Sequence, residues 1–339
     1  MEKTIDYVFP YVDCDDPSWI EEYNKYAPKK KTVENRWAVD MSRFRANDLL
    51  KYTFRSIEKN MPFIRKIHFI VMSESQIPSW LDREKVHVVL HKDFIPEEYL
   101  PTFNSNTIES FLSNIPGISD RFIYGNDDLF ITSKCEEKDF FSGNVPKYTI
   151  EKRKYIPTAP GDGLRYDDKK LITGKDDKTV YEVQHICMPY VMDTLKEVYE
   201  KYKDRIEKSI GKFRERGQYN QWIYSLYQAL NKKFINKGIK HLSTEIRPSL
   251  RGKYLVDWSR FKAICLNDSY NTTQTDLKLV KEKLERMFPS PSKFEKKKKK
   301  TVLAKPKPEE KPKAKPAAKT TKLKKDRPDG KTWNTFFDL

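Results

Sequence analysis

The sequence predicts an α/β protein with a mixed or mostly parallel sheet, crossover helices, a helical C-terminal part and a disordered basic tail. Three observations carry that prediction. Short apolar, β-prone runs alternate with helical spacings as far as Tyr124. The run Phe122-Ile123-Tyr124 then delivers two adjacent carboxylates, Asp127 and Asp128, before an apolar run resumes at Leu129. From Lys293 onward, 16 Lys and one Arg face six acids, a surplus of 11 out of the net charge of +17. The body before that point is only mildly basic. With 339 residues and 13% aromatics, the chain has material for one large domain or two smaller ones around a real core.

Ile5 to Val12 reads as the first strand, ended by Asp13-Cys14-Asp15-Asp16-Pro17, and a polar, basic loop follows through Lys29-Lys30-Lys31. Asp48 to Asn60 places Leu49, Leu50, Phe54 and Ile57 at helical spacing, with Asn60 as the stop. Ile67–Met72 and Val86–Leu90 are compact strands, Thr107 to Asn114 is helical, and Phe122–Tyr124 is the next strand. Lys147 to Val180 is charged and turn-rich, which predicts a mobile insert. Pro189 to Lys208 and Tyr219 to Ile235 read as helices, and Asp276 to Met287 as the amphipathic helix that closes a catalytic domain spanning 1–288. The Lys/Pro/Ala composition of 289–339 cannot bury a core and predicts disorder.

Several constellations suit chemistry, and each has a plainer reading beside it. Adjacent carboxylates at a strand end are placed to hold a divalent metal against phosphate oxygens, whereas Gly125-Asn126-Asp127 is equally good turn chemistry. Arg43, Arg45 and Asn47 lead into a helix start, a setting that favours an anion through guanidinium forks and free N–H groups. The same residues also describe a capped, solvated helix end. Asn104 and Asn106 sit in a run of short hydrogen-bonding side chains able to read sugar hydroxyls, or to cap the following helix. His91 and Asp93 follow a strand where α/β sheets bind ligands, or simply end it. His185 is either a general base or a backbone hydrogen-bonding side chain. Arg214, Arg216, Gln218, Asn220 and Gln221 precede an aromatic helix, and Cys265-Leu266-Asn267-Asp268 is a second strand-end carboxylate.

Composition narrows the function classes. The four cysteines are scattered without a CxxC pair, which fits a reducing compartment and no zinc site. No stretch approaches the apolar length of a membrane span, and no signal-peptide core follows Met1. A cytoplasmic location is expected, with peripheral contact at the inner face of the plasma membrane through attraction of the basic tail to anionic lipid. A nucleic-acid-binding protein is disfavoured, because the charge lies in a tail with little interleaved Arg or aromatic content.

These segments together resemble the Stealth family of sugar-1-phosphate transferases. Four characteristic regions have counterparts in order. The first is Ile5-Asp6-Tyr7-Val8 with Asp16-Pro17-Ser18-Trp19. The second runs from Arg43-Phe44-Arg45 through Gln76–Leu81 and Leu100–Asn106 to Asn126-Asp127-Asp128. The third lies around His185 to Asp193 and the fourth around Cys265–Asp268. The third departs from the family pattern, since three residues separate His185 from Pro189 and no second His follows Arg214-Glu215-Arg216. The resemblance implies a Rossmann-like or GT-A-like sheet and transfer of a sugar-1-phosphate from a nucleotide-diphosphate sugar, such as a UDP-sugar. The acceptor would be a hydroxyl of a lipid-linked oligosaccharide or a polysaccharide, in capsule or surface-polymer synthesis, with Mg²⁺ or Mn²⁺ as cofactor. In those terms Asp127 and Asp128 bind metal or activate the acceptor, Asp268 supports the metal, and His185 is the base. Arg216 is a phosphate clamp, Arg43, Arg45, Asn47 and Asn267 hold the donor phosphates, and Asn104 and Asn106 read the sugar. The alternative expectation is a metal-dependent glycosyltransferase making a glycosidic bond.

Overall fold

The computed structural model describes residues 4–29, 36–158, 161–215 and 217–297. The first four strands are β1 (Ile5–Pro10), β2 (Ile64–Val71), β3 (His87–Leu90) and β4 (Arg121–Tyr124). They pair in the order β4-β1-β2-β3, all parallel, and Met188–Val191 adds to β4 antiparallel. A sheet covered on both faces needs continuous apolar runs, and Tyr7-Val8-Phe9 and Phe69-Ile70-Val71 are buried throughout. The helix Leu50–Asn60 connects β1 to β2 and packs Phe54 edge-on to Phe9 and Phe69, with ring centroids 5.4 and 5.6 Å apart. It begins two residues later than the sequence suggests, because Asp48 turns with φ +53° before the helix can start.

A second sheet holds the other half of the site. The strand β5 (Leu129–Ile131) pairs antiparallel with Ala263–Asn267, which is itself parallel to His241–Glu245. The chain therefore leaves the main sheet at Tyr124 and enters the second at Leu129, and Asn126-Asp127-Asp128 is the bridge between them. The bridge is pinned by Gly125 N–H to Val8 O (2.9 Å), Thr53 Oγ1 to Asp127 O (2.6 Å) and Leu266 N–H to Asp128 O (3.0 Å). Gly125 is required here, since a Cβ would collide with the Tyr7 hydroxyl. The closing helix, Gln274–Met287, is capped by Thr273 and lays Leu277, Val280 and Leu284 against a cluster containing Phe130, Ile264 and Trp258.

Six expectations need correction. Pro17–Tyr26 is a helix, not a loop: Asp16 caps it, Pro17 opens it, and Trp19 and Tyr23 stack at 5.0 Å on its buried face. The helical stretch at Thr107–Asn114 is a helix Ser105–Ser110 followed by a 3₁₀ turn. Residues 147–180, expected as a mobile insert, hold a hairpin of Ile150–Lys154 with Thr179–Val183 and the helix Asp162–Thr173. The helix predicted from Pro189 begins at Met192, because Met188–Val191 is the edge strand, and that predicted over Tyr219–Ile235 is confined to Trp222–Leu230. The folded body also passes 288. Phe294 is buried against Phe54, and Glu295 takes a two-pronged bond from Arg55, with Nε–Oε1 2.7 Å and Nη2–Oε2 2.8 Å. The remainder of the predicted tail, 298–339, lies outside the described residues. No described helix is long and apolar enough to cross a membrane, and all four cysteines are free and buried.

Candidate active site

A cavity of about 900 Å³ lies where β1, β2, β3 and β4 end, the usual place for a ligand in an open α/β sheet. The residues after each strand reach it: Tyr11 after β1, Met72 after β2, His91 after β3 and Asn126-Asp127-Asp128 after β4. Eight of the residues singled out from sequence line it together: Arg43, Arg45, Asn47, Asp127, Asp128, His185, Asn267 and Asp268. They come from four separate chain segments.

Asp127 and Asp128 are half-buried on the cavity wall, in a turn whose Leu129 N–H bonds Asn126 O at 3.3 Å. Turn and cavity wall are thus the same residues. Burial pushes the Asp127 carboxyl up to about 6, with Asp268 adding repulsion. Burial and the neighbouring Asp127 push Asp128 up to about 8. No Arg or Lys among the described residues forms an ion pair with either carboxylate, so no paired cation offsets the burial that raises both. Asp268, in contrast, is fully engaged. Its Oδ2 accepts Asn47 Nδ2 at 2.7 Å and Arg45 Nε at 3.1 Å, and its Oδ1 accepts Ser269 N–H at 2.7 Å.

No group of three His, Cys, Asp or Glu side chains is gathered as a ligand set among the described residues. That arrangement still fits Mg²⁺, which is commonly held by one or two carboxylates with water and substrate phosphate completing its shell. Asp127 and Asp128 have unopposed charge for it, whereas Asp268 has its lone pairs committed to Arg45 and Asn47.

His185 faces the carboxylates through Cys265. Its Nδ1 lies 3.3 Å from Cys265 Sγ, and that thiol lies 3.6 Å from Asp128 Oδ1. Burial, then the charges of Arg214 and Arg165, pushes the imidazole down to about 4, so the ring is neutral near pH 7. Arg214 also lines the cavity and donates to Ser105 Oγ. Arg43 is held below the usual guanidinium range by surrounding protein and by Arg214, which places two repelling cations together over the cavity. Behind Arg214, buried Glu109 accepts Tyr124 Oη at 3.1 Å and Gln221 N–H at 3.0 Å. Burial raises its carboxyl and the Arg214 charge opposes that rise.

Two assignments from sequence come out differently. Asn104 is wholly buried and does not line the cavity. It caps the helix at Ser105 and donates to Gly211 O (3.0 Å), Phe213 O (3.1 Å) and Gln218 Oε1 (2.8 Å). Asn106 also turns inward, toward Gln218 Oε1 at 3.4 Å. Both asparagines hold the loop that presents Arg214 and are not positioned to read sugar. Arg216 lies outside the described residues, and the guanidinium seen in the cavity on that loop is Arg214. Sequence reasoning assigned no role to Arg214 or Glu109. Their only advance signal was the polar cluster from Arg214 to Gln221.

Two family models match the chain: Stealth protein CR2, conserved region 2, over 43–148, and Stealth protein CR4, conserved region 4, over 256–304. A capsular polysaccharide phosphotransferase of Streptococcus pneumoniae, WcwK, is 30% identical over 338 residues, covering 87% of this chain and 100% of that protein. The capsular polysaccharide phosphotransferase cps1A of Actinobacillus pleuropneumoniae is 42% identical over 147 residues, covering 42% of this chain and 40% of that protein. Among solved structures, the galactosyltransferase LgtC aligns with 85% of this chain and 96% of its own at TM-score 0.41 and 13% identity.

Proposed function

The chain belongs to the Stealth family and is an enzyme of the transferase class, and on that premise we propose that it moves a sugar-1-phosphate from a nucleotide-diphosphate sugar to a sugar hydroxyl. The product is a phosphodiester linkage in a capsular or cell-surface polysaccharide. The donor we infer is a UDP-sugar, and the acceptor a lipid-linked oligosaccharide or polysaccharide. The main support is the pairing of two uncompensated carboxylates with two guanidiniums across one cavity, Asp127 and Asp128 against Arg43 and Arg214. Such a site is organised for an anionic substrate that arrives with its own cation.

When bound by Asp127 and Asp128, Mg²⁺ or Mn²⁺ supplies neutralisation of pyrophosphate charge. Arg43 and Arg214 bind the phosphate oxygens, and their mutual repulsion is relieved when an anion lies between them. Arg45, Asn47 and Asp268 form a rigid rim in which Arg45 is already oriented toward the donor and Asn267 lies beside it. His185, neutral at working pH, accepts the proton of the attacking hydroxyl, and Cys265 fixes its ring through Nδ1. Most of the acceleration in such a transfer comes from positioning and charge stabilisation by preorganised groups. The Lys-rich segment beyond 297 suits electrostatic attachment to anionic lipid near the acceptor.

The test is to incubate the full chain with Mg²⁺, a panel of UDP-sugars and an oligosaccharide acceptor, and to identify the released nucleotide. UMP is expected. UDP would replace this reaction with formation of a glycosidic bond.

A further inference from the structure

His91 closes the end of the cavity remote from the carboxylates, and none of the steps above uses it. The parallel register pairs Val71 with Leu90, so Met72 and His91 leave the sheet side by side. The imidazole is only 6% exposed, and its Nδ1 is buried with no hydrogen-bond partner among the described residues. An orphaned buried polar atom costs about 1–3 kcal/mol, so a polar side chain kept in that state is matched to a partner that arrives from outside.

The surroundings say what that partner is. Burial pushes His91 down to about 4, which leaves a neutral ring suited to a neutral polar edge. Nearby Gln76 is already spent, bonding Asp13 N–H (2.7 Å), Asp13 O (3.0 Å) and Asp16 Oδ2 (2.8 Å). The remaining wall contributed after β2 sets Met72, Ile77, Pro78 and Trp80 beside the small hydroxyls of Ser75 and Ser79, and Ser75 is already bonded to Asp16 Oδ2 at 2.7 Å. A flat heterocycle with a polar edge fits this end better than a sugar or a phosphate. Three strand spacings of roughly 4.8 Å separate β3 from β4, about 14 Å in all, a span matched by an extended nucleoside diphosphate.

We propose that the His91 imidazole hydrogen-bonds the nucleobase of the donor and sets base specificity, while the pyrophosphate lies toward the ends of β1 and β4. This rests on the nucleotide-sugar function proposed above. The experiment is calorimetric titration of the full chain, with Mg²⁺, against UDP, CDP, ADP, GDP and inorganic pyrophosphate. Wild type is expected to prefer one base. His91→Phe, which fills the space without a polar atom, is expected to bind that nucleotide at least ~10-fold more weakly and to lose the preference, with pyrophosphate affinity unchanged. His91→Asn, with an amide where Nδ1 stands, retains part of the preference. Unchanged nucleotide affinity and ranking in His91→Phe overturns the proposal and leaves the proposed function standing. Absence of nucleoside diphosphate binding by wild type contradicts both. A second readout avoids any folding defect in the variant: in ¹⁵N-histidine-labelled wild type, the His91 ring-nitrogen resonances move with the preferred nucleotide and not with pyrophosphate. Resonances that stay still in both titrations also overturn it.

Discussion

The two ends of the main sheet treat buried carboxylates in opposite ways. At the start of β1, Asp6 is wholly buried and saturated with donors. Its oxygens take Arg65 Nε (2.8 Å) and Nη2 (2.6 Å), His68 Nε2 (2.9 Å) and Ser119 N–H (2.9 Å). Burial alone would raise its carboxyl, yet Arg65 and His68 hold it well below the usual range. At the other end, Asp127 and Asp128 are met only by backbone N–H groups and the Cys265 thiol, with no cationic donor, and rise to about 6 and about 8. One site satisfies its charge within the fold, and the other leaves two carboxyls on a cavity wall without a cationic partner. The comparison separates a carboxylate saturated by the fold from a pair that the fold leaves open to the cavity, and this difference underlies the role proposed for Asp127 and Asp128.

The largest effect expected from this contrast is on activity. Asp128→Asn should lower kcat/KM at least ~100-fold, as loss of a metal-binding or proton-handling group does. Its melting temperature should be unchanged or higher, because the variant relieves repulsion with Asp127. Asp6→Asn should do the reverse. Leaving His68 and Arg65 without their carboxylate should cost about 3 kcal/mol of stability in urea unfolding, while the folded fraction turns over normally. If Asp6→Asn abolished turnover at full stability, the division between the two ends would fail.

Asn104→Ala should cost about 2 kcal/mol through the lost cap and the loop carbonyls left unpaired. Because Asn104 acts through the Arg214 loop, kcat should fall while KM for the acceptor stays the same. A rise confined to acceptor KM would instead make Asn104 a sugar-reading residue.

The smallest effect is a difference in pH dependence. For Asp6, with its folded value depressed, the stabilisation is present above the unfolded carboxyl value of ~3.9 and is lost as pH falls below it. For Asp127 and Asp128, with folded values raised, the contribution is present below ~3.9 and is lost as pH rises through about 6 and about 8. Metal-free protein should therefore lose stability between pH 5 and pH 8 relative to an Asp127→Asn/Asp128→Asn double variant. Added Mg²⁺ should recover that loss at the upper pH in wild type only, as followed by thermal melting.

How much of this was legible in the sequence depends on where each signal is stored. The strands β1 to β4 each carry a short apolar run, Tyr7-Val8-Phe9, Phe69-Ile70-Val71, Val88-Val89-Leu90 and Phe122-Ile123-Tyr124, and the helix Gln274–Met287 shows its period directly. Pro17–Tyr26 was hidden because two buried aromatics, Trp19 and Tyr23, hold a helix whose other face carries Glu21, Glu22, Asn24 and Lys25. The hairpin at Ile150–Lys154 was hidden because Ile150, Val180 and Val183 are its only buried apolar side chains and charged residues fill most of its other positions. Arg153 bonds Glu182 across the strands at 2.5 Å and buried Asp162 at 2.7 Å, a pattern that reads as a solvated loop. The carboxylate pair was visible because adjacent residues show themselves in sequence. Arg214 and Glu109 were not, since their meaning depends on loops that meet only in the folded protein. Asn104 was misassigned for the same reason, as its carbonyl partners lie more than 100 residues away.

The central claim is that phosphorus moves with the sugar, and the most direct measurement follows that atom. A UDP-sugar labelled with ³²P at the β position, incubated with the full chain, Mg²⁺ and acceptor, should transfer its label to the acceptor in a linkage that resists phosphomonoesterase, and UMP should be released unlabelled. Label retained in UDP, with an unlabelled glycosylated acceptor, would contradict the account.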